Sequence, residues 1–354
     1  MDLIQVSGWN RLMIVKRVKS CDEILVQDQP RSRVADAQRG AADLLSRDEI
    51  RALTKSSNTA GALSIAWTWL VIAASFAALA VWPHPLVFAA VVVILGGRQL
   101  ALAVLMHEAA HGTLFRARWA NEHLTDWLCA RPVWSDTARY RKHHLQHHGH
   151  TGTERDPDLG LALGRPMTRG SLARKIARDL LGATGVRRVI GLLMIDAELL
   201  AYDVGGNIRR APRQPLGHHA RALVRHLWKT LLANALLLGA LWLAGCPWVF
   251  VAWVVAYLSP FSLFVRVRSL AEHACMDRGP DPLRNTRTTR AGLLARITVA
   301  PLHVNYHLEH HLLPTVPWFR LPALGRLLVA RDTIPGDSRA GSYLDVLRTV
   351  SARR

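Results

Sequence analysis

Between Thr59 and Trp82 the chain carries no charged residue, and between Pro85 and Met106 it carries one, Arg98. Each stretch is long enough to cross the roughly 30 Å of bilayer hydrocarbon, which takes about 20 helical residues. With Trp82-Pro83-His84-Pro85 as a turn, the two read as a helical hairpin. A second apolar stretch, Leu231 to Val265, is interrupted by Gly245-Cys246-Pro247 and reads as two shorter spans joined by a tight turn. The expected fold is an all-α integral membrane protein with four transmembrane helices in two hairpins, the spans lying at 59–82, 85–106, 229–245 and 247–265. A composition of 50% hydrophobic residues over 354 would equally fit a soluble protein, so it is the distribution of the apolar residues that decides.

The formal charge of +19 raises the question of nucleic acid. Its placement answers for a membrane surface instead. Neither hairpin turn contains Lys or Arg, and apart from Arg98 the basic residues lie before, between or after the two hairpins. An even number of crossings returns all three regions to one side, which the positive-inside rule makes the cytoplasm. The expectation is a multi-pass protein of the cytoplasmic (inner) membrane, with no nucleic-acid partner. Cys21, Cys129, Cys246 and Cys275 form no CxxC pair, so neither a disulfide framework nor a zinc ribbon is indicated.

Residues 1–58 read as a charge-rich cytoplasmic leader whose beginning is expected to lack fixed structure. Near its end, Ser46-Arg47-Asp48-Glu49 fits a capping box that opens a short helix. The leader contains no apolar core of signal-peptide type, so the first span is expected to direct insertion. Residues 59–330 form the membrane domain. Within it Val189 to Tyr202, which includes Asp196 and Glu198, is expected to be an interfacial or buried helix rather than a fifth span. Gly279-Pro280-Asp281-Pro282 marks a turn, and 331–354 reads as a C-terminal tail.

The 17 histidines are informative through their clustering. His107-Glu-Ala-Ala-His111 begins where the second span ends, His144-Leu-Gln-His147-His148 follows, and His307-Leu-Glu-His310-His311 lies after the fourth span. Helical positions i, i+3 and i+4 share a face, so each HxxHH box can aim three imidazoles at one point and the HxxxH box two. With the even span count, the boxes fall in a helical cap on the cytoplasmic side. Eight box nitrogens are too many for one ion, since a catalytic zinc takes three protein ligands and keeps an open position. Two ions sharing the set fit better, although imidazole suits iron, zinc and copper alike. His107-Glu108-x-x-His111 also matches a one-zinc hydrolase pattern with Glu108 as base, but such an enzyme would not need two further boxes.

Three runs of sequence carry a family likeness: His107-Glu-Ala-Ala-His111-Gly112; the second box running into Gly152-Thr-Glu-Arg-Asp156-Pro157-Asp158; and Asn305-Tyr-His307-Leu-Glu-His310-His311-Leu-Leu-Pro314-Thr-Val-Pro317. Over roughly residues 60–330 the chain resembles the membrane fatty acid desaturase superfamily, which includes acyl desaturases, hydroxylases and carotenoid ketolases. The resemblance implies a four-span fold with cytoplasmic boxes and a diiron centre. It also implies a ninth ligand, His273, between the fourth span and the last box. Some desaturases have an Asn four residues before that histidine, associated with a metal-bound water; here the position is Ser269. His143, His150 and His303 fall outside the ligand pattern. Asp156 and Asp158 are expected to order their loop or to hold ligating histidines through the free ring N–H groups. Arg284-Asn-Thr-Arg287 reads as a solvated basic loop.

The chemistry that the resemblance implies is O2-dependent oxidation of an unactivated C–H bond at two iron ions, with a lipid or fatty acyl substrate. Loss of a second hydrogen gives a double bond; addition of oxygen, as in a hydroxylase or a ketolase of a carotenoid-like substrate, is the alternative. A membrane metal-dependent hydrolase is a third reading. The chain contains no CxxCH haem site, no His-Pro-Gly-Gly and no GxGxxG loop, so electrons are expected from a separate ferredoxin-like or cytochrome-like donor with its reductase.

Overall fold

A computed structural model of the chain describes residues 40–159, 167–202 and 208–351. The expected unstructured beginning of the leader lies outside these residues. The protein is mostly helical, and among the described residues the strands form two small two-stranded sheets. Among the described residues, four helical stretches are long and apolar enough to cross a membrane: Arg47–Val81, Pro85–Ala110, Leu216–Leu243 and Pro247–His273.

The first stretch is two helices, α1 (Arg47–Leu53) and α2 (Asn58–Val81). At α1 the capping box forms: the Glu49 N–H donates to Ser46 Oγ at 3.3 Å and the Ser46 N–H to Glu49 Oε2 at 2.8 Å. α2 stops at Trp82, before Pro83, and α3 (Pro85–Ala110) begins with Pro85 in its first turn, where a missing N–H costs nothing. α3 is the central mast: from Leu95 to Ala110 every residue except Ala103 is buried. Ile72, Phe76 and Leu79 of α2 pack in one cluster with Val91, Leu95, Leu102 and Leu105 of α3.

In lipid, helices associate through close packing rather than through a hydrophobic gradient, which favours small residues at the contacts. A Cβ on Gly61 would lie 2.4 Å from the Leu114 carbonyl oxygen, and one on Gly96 2.9 Å from Pro260 Cγ. Both positions therefore need glycine.

After α3 the chain passes through irregular helical turns into α4 (Thr137–His150), and two further helices follow, α5 (Arg169–Leu180) and α6 (Ala183–Asp196). The segment 189–202 is thus helical only to Asp196. Glu198 takes a positive φ of 55°, and Leu200–Tyr202 pairs antiparallel with Ile208–Arg210. α7 (Leu216–Leu243) lies at the periphery, with Leu231, Leu236 and Trp242 exposed.

The expected span 247–265 is broken. α8 (Phe250–Leu258) ends at Ser259, with φ −109° and ψ −91°, and α9 (Pro260–His273) restarts at a proline that lacks the N–H to continue the ladder. The break lets α9 run on to His273. Two further helices follow the third box, which is α10 (His307–Leu312): α11 (Leu321–Ala330) and α12 (Tyr343–Val350). The last described residues are integral to the fold: Val346 and Val350 pack with Leu172, Leu270, Ala271 and Ala274, and Arg339–Ala340 pairs parallel with Thr288–Thr289.

Candidate metal centre

α4 carries the second box, and its start is tied down by a buried charge network. Asp136 caps it by accepting the Arg139 N–H at 2.9 Å, Asp126 accepts the Thr137 N–H at 3.0 Å, and Arg131 bridges Asp126 and Asp136. Arg141 then reaches the end of α3, donating to the Ala110 carbonyl at 2.9 Å and to that of Ala109 at 3.1 Å. These carbonyls belong to the last turn of α3, so one arginine locks the first box to the second.

Nine imidazoles meet below these ends. His107, His111, His144, His148 and His310 form one group, and His147, His273, His307 and His311 the other; within each group the nitrogens offered lie within 4.8 Å of one another. Each group could hold a metal ion. In the first, the Nε2 atoms of His144 and His148, and of His148 and His310, are 3.0 Å apart; in the second, those of His273 and His307 are 2.8 Å apart. Two ligands at about 2.1 Å from one ion and at right angles would be about 3 Å apart. Nε2 of His107, His111 and His311 is buried with no partner, as donors aimed at an ion would be. The donor set therefore fits a pair of ions. The groups adjoin, with the His148 and His311 rings stacked at 4.1 Å between centres.

The boxes do not correspond one to one with the groups. His144 and His148 face the first group while His147 faces the second; His310 faces the first while His307 and His311 face the second. Neighbouring helical residues point about 100° apart, so an HxxHH run straddles two points instead of converging on one.

Supporting contacts hold the rings. His147 Nδ1 donates to Asp156 at 2.7 Å, and Asp156 also accepts the N–H groups of Gly152 and Asp158. His273 Nδ1 lies 3.3 Å from the Asn285 carbonyl, and His311 Nδ1 lies 3.2 Å from Thr151 Oγ1. Tyr140 stacks on His144 with ring centres 5.0 Å apart. Burial pushes the His111 ring down to about 4 and the His148 ring down to about 2, with Arg141 adding to the effect at His111 and neighbouring histidines at His148. His144, His307, His310 and His311 are likewise held well below the ordinary imidazole value, first by burial and then by adjacent rings. Neutral imidazole is the form that binds metal.

Outside both groups, His143 lies 3.0 Å from Asp158 and His303 stacks on Trp318. Glu108 is committed elsewhere than a hydrolytic base would be: it accepts from Thr113 Oγ1 at 2.8 Å and the Trp318 N–H at 3.0 Å, and its other oxygen is 3.5 Å from His107 Nδ1. Arg287 is not solvated. It is buried, donating to the Ala274 carbonyl at 2.9 Å and capping α9 beside His273. Arg141, Thr151 and Asn285 escape a reading by motif, because each is defined by a partner distant in sequence or by a backbone atom. Only Asp136, an N-cap residue before a helical run, carries a local signal.

The fatty acid desaturase family profile matches residues 81–336. The chain belongs to the fatty acid desaturase family. The chain is similar to a dihydrorhizobitoxine desaturase of Bradyrhizobium elkanii, 27% identical over 277 residues, 75% of this chain and 74% of that one. It is also similar to a β-carotene ketolase of a Paracoccus species, 27% identical over 244 residues, covering 68% and 80%. A zeaxanthin 4-ketolase of Chlamydomonas reinhardtii is 26% identical over 238 residues, covering 66% and 43%. The family and these desaturase and ketolase relatives make this chain an oxidoreductase.

Proposed function

We propose that this desaturase-family chain performs diiron, O2-dependent desaturation of a lipid acyl chain. The observation that carries the reading is the gathering of nine buried imidazoles into two adjoining groups where long apolar helices end. His107, His111, His144, His148 and His310 would hold one iron ion, and His147, His273, His307 and His311 the other. Bound there, the iron pair supplies reductive activation of O2 and abstraction of hydrogen from carbon.

The protein's own part is positional. Asp156 and the Asn285 carbonyl fix two rings through Nδ1 and leave Nε2 for the ion. Burial keeps the rings of His111, His144, His148, His307, His310 and His311 unprotonated and excludes bulk water from the site. Overall, the two hydrogens lost by the substrate, two electrons and two protons reduce one O2 to two waters. The electrons come from a ferredoxin-like or cytochrome-like donor with its reductase, for which the basic surface offers a complementary face. The four spans form two hairpins, and the boxes sit in a cap on the cytoplasmic side, because the charged residues gather there.

A second reading, hydroxylation or ketolation of a carotenoid-like substrate, is favoured by the ketolase relatives and by the run from Gly152 to Asp158. Iron analysis of the purified protein, with mass spectrometry of lipids from cells that express it, tests both. Iron in the protein and products lighter by two hydrogens are expected. Products heavier by oxygen would move the assignment to the second reading, and zinc in active enzyme without O2 uptake would overturn both.

A further inference from the structure

Arg98 is the one charged residue between Pro85 and Met106, and it is buried. Its guanidinium donates to the Ile297 carbonyl at 3.1 Å and lies 3.5 Å from that of Arg296. It thereby caps the end of a five-residue helix, Leu293–Ile297. The adjacent glycine makes this approach possible: a Cβ on Gly97 would stand 2.0 Å from the same Ile297 oxygen. The end of the short helix thus packs against α3 at the level of Gly97.

That level is set by helix geometry. Gly97 is twelve residues beyond Pro85, or about 18 Å along α3. Gly97 thus lies within the apolar run that ends at Met106, so the short helix ends against a part of α3 at membrane depth. Its outward residues suit that depth. Leu293 is 77% exposed, Leu294 73% and Ile297 36%, with exposed Arg290 and Arg296 beside them.

We infer that residues 290–298 form a further membrane contact: a short helix in the plane of the bilayer, with Leu293, Leu294 and Ile297 among lipid acyl chains and Arg290 and Arg296 at headgroup phosphates. This rests on the four-span reading. A second copy of the chain is a poorer occupant, because it would bring the same arginines together, whereas anionic headgroups neutralise them. The contact also reaches the metal centre. The Thr289 N–H donates to the Asn305 carbonyl at 3.1 Å and Asn305 Nδ2 to that of Thr289 at 2.9 Å, so the in-plane helix is closed into a loop directly preceding His307.

The test places an environment-sensitive fluorescent amino acid at position 294, 236 or 344 of the full chain, reconstituted in phosphatidylcholine and phosphatidylglycerol vesicles. Leu236, 63% exposed on α7, is the reference for lipid, and Leu344, 55% exposed on α12, is the reference for water. Lipids brominated on the acyl chain should quench position 294 at least half as strongly as position 236, while aqueous iodide should quench it several-fold less than position 344. Iodide quenching at 294 equal to that at 344, with 236 still lipid-exposed, would overturn the inference and leave the spans intact. Protection of 294 from both quenchers would overturn it in favour of a protein partner. Iodide access at 236 would sink the spanning reading, and this inference with it.

Discussion

His147 Nδ1 lies 2.7 Å from a carboxylate oxygen of Asp156, a residue with no exposed surface. Asp156 is held in turn by two backbone N–H groups, so the imidazole is oriented by a carboxylate that cannot itself swing away. Removing the charge while keeping the shape should weaken metal binding at the second histidine group. Asp156→Asn is expected to lower iron affinity about 10- to 100-fold, equivalent to about 1.4–2.8 kcal/mol. Titration with a competing chelator measures it, and unchanged retention would show that the contact only orders the loop.

His307 and His310 belong to one box but face different groups. Single replacements should therefore remove different ions. His307→Ala is expected to lose iron from the second group and His310→Ala from the first, each keeping roughly half the metal of the parent and losing activity by about a hundredfold or more. Elemental analysis beside circular dichroism checks this; a full metal complement in either variant would remove that residue from the ligand set.

Acid should destabilise the metal-free protein. An unfolded imidazole titrates near 6.5, whereas burial holds His111 at about 4 and His148 at about 2. Below about pH 6.5 the unfolded chain binds more protons than the folded one, so stability is complete above that pH and is lost as the pH falls toward the folded values. The melting temperature of iron-stripped protein should drop between about pH 7 and pH 5, and a flat profile would contradict the burial of these rings.

Gly97 leaves no room for a methyl group against the Ile297 carbonyl. Gly97→Ala should push the Leu293–Ile297 helix off α3 and cost about 1–3 kcal/mol. A lower melting temperature in detergent is the readout; a variant as stable as the parent would mean that the contact is loose.

The eight box histidines were legible in the sequence through their clustering, though their division between two groups was not, and the spans because lipid demands long uncharged runs. Less was legible where the determining partner is remote. Thr151 meets His311 across 160 positions, and Arg141 binds backbone atoms of α3 that no side-chain pattern encodes. The break at Ser259-Pro260 was present as a proline, but hydropathy counts apolar residues and ignores missing N–H groups. Arg287 looked solvated because charge near a turn usually is; its burial follows from α9 ending beside it.

Because α4 and α10 each contribute rings to both histidine groups, the two groups share their axles. Turning either helix would advance one set of nitrogens while withdrawing the other. The spacing of the two sites is thus gauged by the pitch of a helix, and a substrate that pries at the surrounding loops meets a rigid ruler beneath them.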